Sequence, residues 1–179
     1  MKRVENRGRR SGVDLLTSDQ VNAIAEAMPP NWRIGVLLAA WCGLRSSEVR
    51  ELRRKDVNTE AGTIMVERYL VGSEVRKPLT SAGVREVSIP SVLAHDLVEH
   101  LVTYVPDDPE ALIISGEKGE LVHDVRWGRA FQSAVDRVFA PQSKPRVPFH
   151  SLRQFALAYA YQAGATMREL QKFGGYSRA

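Results

Sequence analysis

Residues 34–52 read IGVLLAAWCGLRSSEVREL, an apolar run that stops at Gly43 and turns at once into a polar segment carrying Arg45, Glu48, Arg50 and Glu51. A stretch apolar on every side belongs to a helix buried on every side, expected over about 32–42. Gly43 can take the left-handed backbone that ends a helix and redirects the chain. A third helix should follow, with Ser46 as its cap and Val49 and Leu52 facing inward. The run from Ile34 to Cys42 is far short of the roughly 20 residues a membrane helix needs.

Upstream, Thr17-Ser18-Asp19-Gln20 has the form of a capping box, and Val21, Ile24, Ala25 and Met28 follow at helical spacing until Pro29-Pro30. Downstream, from Gly62, the pattern changes to alternation. Ile64, Val66 and Tyr69, then Val84, Val87 and Ile89, read as inward positions of a small antiparallel sheet, with the segment from Lys77 to Gly83 as the turn between strands. Helices are expected at about 91–104 and 124–139, with a short strand at 111–114. Pro141, Pro145 and Pro148 interrupt the chain before a last helical pair, about 151–163 and 166–173, joined at Gly164. The expected fold is mainly α with one small antiparallel β-sheet.

The whole chain of 179 residues is 44% hydrophobic and 26% charged, which describes one ordinary globular domain with a core of its own. A single cysteine, Cys42, excludes an internal disulfide framework and fits a reducing, cytoplasmic setting. The net charge of +4 is unevenly spread. Lys2, Arg3, Arg7, Arg9 and Arg10 crowd the start, so that residues 1–14 read as a basic linker or arm. Residues 91–120 are acid-rich and 121–179 base-rich. Such segregation can present a basic face to a polyanion, although charge blocks are also ordinary solvated surface.

Three basic positions stand out: Arg45 at a helix start, Lys77 in the inter-strand turn, and His150 with Arg153. The i, i+3 spacing of the last two puts both side chains on one face at a helix N-terminus, where backbone N–H groups already favour an anion. Each position alone reads equally as a surface cation. Their order along the chain, however, resembles the catalytic domain of the tyrosine recombinases, or phage integrases. The resemblance rests on Leu15-Leu16-Thr17-Ser18-Asp19-Gln20, on Gly43-Leu44-Arg45-Ser46-Ser47-Glu48-Val49 with Asp56 downstream, on the stretch from Thr80 to Pro90, and on Phe149-His150-Ser151-Leu152-Arg153-Gln154-Phe155-Ala156.

The resemblance implies the tyrosine recombinase catalytic-domain fold over 15–179 and site-specific breaking and rejoining of double-stranded DNA through a 3′-phosphotyrosine. Arg45 and Arg153 would clamp the scissile phosphate, His150 would hydrogen-bond to it or exchange a proton, Lys77 would protonate the leaving 5′-hydroxyl, and Glu48 would orient Arg45. Arg85 is a further expected DNA contact. Neither metal nor another cofactor is implied. Two positions depart from the pattern: Leu79 stands where the turn lysine usually lies, and Tyr176 falls where the Leu-Gly-His-Ser box has histidine. The nucleophilic tyrosine would follow about nine residues later, beyond Ala179. The expectation is thus a catalytic domain lacking its C-terminal end, tetrameric on DNA when intact and monomeric as this piece. A catalytically inactive DNA-binding or regulatory remnant is the alternative, and a helical protein-interaction domain a weaker one.

Overall fold

The computed structural model describes residues 16–78, 83–139 and 147–175, so the basic arm lies outside the described residues. The apolar run forms α2 (Arg33–Trp41), in which every residue from Ile34 to Trp41 is buried. α1 (Ser18–Glu26) starts at Thr17, whose hydroxyl accepts from Gln20 N at 3.2 Å while Gln20 Oε1 accepts from Thr17 N at 2.9 Å. A 3-10 turn, Pro30–Trp32, then leads into α2. Around α2 pack α1, α3 (Ser46–Glu51), α4 (Ser91–Tyr104) and α6 (His150–Gln162), with α5 (Asp124–Val138) against α1 and α7 (Met167–Gly174) against α6. Trp41 fixes the α2–α6 contact, its ring edge-on to Phe155 at 5.3 Å and to Tyr159 at 5.1 Å.

Among the described residues, five short strands lie beside the helices: β1 (Val57–Asn58), β2 (Thr63–Val66), β3 (Tyr69–Val71), β4 (Glu74–Arg76) and β5 (Arg85–Ser88). β1, β2 and β5 make one antiparallel sheet in that order, with Ile64 opposite Val87, and both side chains enter the core. β3 and β4 form a separate hairpin whose turn uses Gly72 at φ +64°. The mainly α architecture with small antiparallel sheets is the one expected.

Three local expectations need correction. The alternation from Ile64 to Tyr69 is split at Arg68, which turns inward to Asp56 and Glu51, so that β3 leaves the first sheet and pairs with β4. In β5 the inward positions are Arg85 and Val87, while Val84 is exposed. Residues 111–114 make an isolated bridge, Arg53 to Leu112, in place of the expected strand, with Ile113 and Ile114 both buried.

Gly43 closes α2 at φ +65°, and a Cβ there would sit 2.6 Å from Cε1 of Phe173 on α7. An L-residue pays about 1–2 kcal/mol for that backbone conformation alone. Gly43→Ala is therefore expected to lower the urea-unfolding free energy by at least this amount, and unchanged stability would show that the turn relaxes freely.

Candidate functional site

α7 ends on Gly175, at φ +56°, whose N–H donates to Lys172 O at 3.0 Å. A helix cannot satisfy its own last carbonyls, and here arginines from three other elements take them. Arg85 on β5 donates Nε to Phe173 O at 3.1 Å. Arg45, the residue preceding α3, donates Nη2 to Gly174 O at 3.3 Å. Arg153 on α6 donates Nη2 to the same carbonyl and Nη1 to Gly43 O. The negative end of the α7 dipole favours this gathering of cations.

Glu48 ties two of these arginines together. Its carboxylate accepts a two-pronged bond from Arg85, Nη1 to Oε1 and Nη2 to Oε2, each at 2.9 Å. It also accepts Arg45 Nη1 and the Arg45 backbone N–H, each at 2.8 Å. The α3 start is thus fixed by Arg45 and Glu48, rather than by Ser46 as the sequence suggested. Burial alone would raise the Glu48 carboxyl pKa, but the hydrogen bonds and charge of Arg85, with those of Arg45, outweigh it and hold it below the usual 4.5.

Beside this cluster opens a groove of about 420 Å³ lined by Arg45, Arg50, Asp124, His150 and Arg153 among others. His150, the first residue of α6, is exposed there. Its neighbour Phe149 is pinned by Trp127 and Phe131, ring centroids 5.5 and 5.0 Å away, which fixes where α6 begins. Permanently charged guanidinium forks with an imidazole suit an oxyanion such as a phosphodiester. Among the described residues no three His, Cys, Asp or Glu side chains group as metal ligands. Burial pushes the Cys42 thiol up to about 12, so it is a core side chain without nucleophilic character.

Residues 14–179 match the model of the phage integrase family. The chain belongs to that family. The prophage phiRv2 integrase of Mycobacterium tuberculosis is 34% identical over 171 residues, a match covering 91% of this chain and 44% of that protein. The chain thus spans less than half of that relative. The Tn1549 transposon integrase, solved in complex with circular intermediate DNA, superposes with a TM-score of 0.78 at 19% identity over 92% of this chain and 59% of that one. The lambda integrase catalytic core gives 0.64 at 19% identity, covering 92% of both chains.

Within this integrase-family fold, four of the residues singled out in the sequence, Arg45, Glu48, His150 and Arg153, converge on the groove and its supporting cluster. Lys77 is exposed just past β4 and is not part of the groove lining, although Leu70 and Gly72 of the same hairpin are. Tyr176, and Leu79 in the turn, lie outside the described residues. Arg85 is not a surface DNA contact: its side chain is 2% exposed and its guanidinium is committed to Glu48. Two groove residues, Arg50 and Asp124, were given no role in the sequence reading. Arg50 directly follows the quoted stretch from Gly43 to Val49, but only the packing shows that it turns into the groove.

Because the folded-state pKa of Glu48 is depressed, its contribution to stability is complete above the ordinary carboxylate value and is lost as pH falls through the lower folded value. Unfolding free energies measured from neutral pH down into the acid range should therefore fall below about pH 4.5. Glu48→Ala, which strands the buried Arg85, should cost about 3–5 kcal/mol at neutral pH and flatten that acid limb. An unaltered pH profile in the variant would contradict the pairing.

Proposed function

We propose that this chain is the phosphate-binding part of a site-specific DNA recombinase that breaks and rejoins duplex DNA through a 3′-phosphotyrosine. The observation that carries the reading is the convergence of Arg45, His150 and Arg153 on one groove, supported by membership of the phage integrase family and by the DNA-bound state of the Tn1549 relative. In this reading Arg45 and Arg153 hold the non-bridging oxygens of the scissile phosphodiester, where negative charge builds as the attacking oxygen arrives. His150 hydrogen-bonds to the same group from the start of α6. Glu48 and Arg85 are positioning residues that keep Arg45 in place.

In the reaction a tyrosine oxygen forms a bond to phosphorus as the bond to the 5′ oxygen breaks. A proton must reach that leaving oxygen, and Lys77 is the proposed donor, brought in by movement of the β3–β4 hairpin that already forms part of the groove wall. Tyr176, in the place of the family's box histidine, is proposed to add a hydrogen bond to the phosphate. No tyrosine among the described residues lines the groove. The attacking hydroxyl is therefore assigned to a residue outside them. A silent remnant is not favoured, because the phosphate-binding side chains and their support stand together.

The chain should bind duplex DNA with an affinity that falls steeply as NaCl rises. Arg45, with a side chain 39% exposed, can be removed without opening the core. Arg45→Ala should weaken binding about tenfold and lower the slope of log affinity against log salt by about 0.9, the signature of one lost phosphate contact. Fluorescence anisotropy across a salt series measures both, and identical curves for variant and wild type would refute the assignment.

A further inference from the structure

Arg50 lies five residues beyond Arg45, and its guanidinium lines the same groove with only 4% of the side chain exposed. Nη1 donates to Val122 O at 3.1 Å, and Nη2 meets Asp124 Oδ1 at 3.1 Å. Nε has no hydrogen-bond partner among the described residues. The anion that answers this buried cation is poorly placed to do so. Asp124, in the first turn of α5, is 73% exposed, so water screens its charge while Arg50 bears the cost of burial. Burial in fact lowers the Arg50 pKa, with the Asp124 charge only opposing it.

A groove that takes phosphates has no use for a carboxylate at its mouth unless the carboxylate gives way. Asp124 can do this at small cost, since most of its surface already meets water and swinging outward completes its hydration. A phosphodiester that replaced it would meet the Arg50 fork in the manner guanidinium groups favour, and would bring the same single charge with a second non-bridging oxygen for the Nε that has no partner among the described residues.

We propose that Arg50 is a further DNA-phosphate contact and that Asp124 is a resident anion which holds its guanidinium until a DNA phosphate displaces it. The inference rests on the DNA-binding reading above and adds to it a residue pair that competes with the ligand. Asp124 thereby sets a threshold: duplex DNA must outbid an internal carboxylate for one of the groove cations.

The test is a double-mutant cycle of Asp124→Asn and Arg50→Met, read as the dissociation constant of the full chain for a short duplex DNA at low salt, with Arg45→Ala alongside. Asp124→Asn should tighten binding about fivefold, a gain that a displaced competitor explains and that should disappear in the Arg50→Met background. Arg50→Met should weaken binding and lower the salt slope by about 0.9. An equal gain from Asp124→Asn with and without Arg50 would make Asp124 a general surface charge and overturn the proposal. So would no gain at all, a result that stands on the exposed Asp124 variant alone should Arg50→Met fail to fold. Loss of binding in Arg45→Ala without coupling between Asp124 and Arg50 removes only this inference. A wild-type chain that binds no duplex DNA removes the functional reading and this inference together.

Discussion

The Glu48 carboxylate is the point on which the site depends. It receives the fork of Arg85 from β5 and both the guanidinium and the backbone N–H of Arg45, and through these contacts it joins α3 to the sheet. Arg85 in turn reaches Phe173 O, so the same pair anchors the end of α7. Buried ion pairs of this kind contribute little net stability against an apolar replacement, but losing one partner is costly. Their service here is geometric: one carboxylate fixes the arginine that faces the groove, and one helix end collects the arginines behind it.

That arrangement solves two problems with the same atoms. The last carbonyls of α7 need donors, and the arginines proposed to bind a phosphate need to be held close together against their mutual repulsion. Gly174 O accepts from both Arg45 and Arg153, which brings two like charges to one oxygen and keeps them oriented before any ligand arrives. Preorganised charge of this sort acts without reorganisation when negative charge develops.

Much of this was legible in the sequence, for identifiable reasons. The run at 34–42 could only be a buried helix, Thr17 and Gln20 announced a helix start, and His150 with Arg153 had the spacing of one helical face. What the sequence concealed were cases where a polar residue occupies an inward position. Arg85 takes a core-facing place in β5 because Glu48 waits for it, and a pattern of apolar residues gives no sign of that partner. Arg68 breaks an apparently continuous strand for a similar reason, drawn to Asp56 and Glu51. Arg50 lies beside Val49 at the end of the quoted motif, and its direction into the groove is decided by Val122 and Asp124, more than seventy residues away. Long-range pairing of charges is the part of the fold that local periodicity does not encode.

The central claim is that one DNA phosphodiester sits where Arg45, His150 and Arg153 meet. A crystal structure of the chain with a short duplex DNA tests it directly. The account predicts a phosphate whose non-bridging oxygens lie within hydrogen-bond distance of both guanidinium groups and of the His150 ring, with the Glu48–Arg85 pair unchanged beneath. DNA seated on another face, with this groove left without a phosphate, would contradict it.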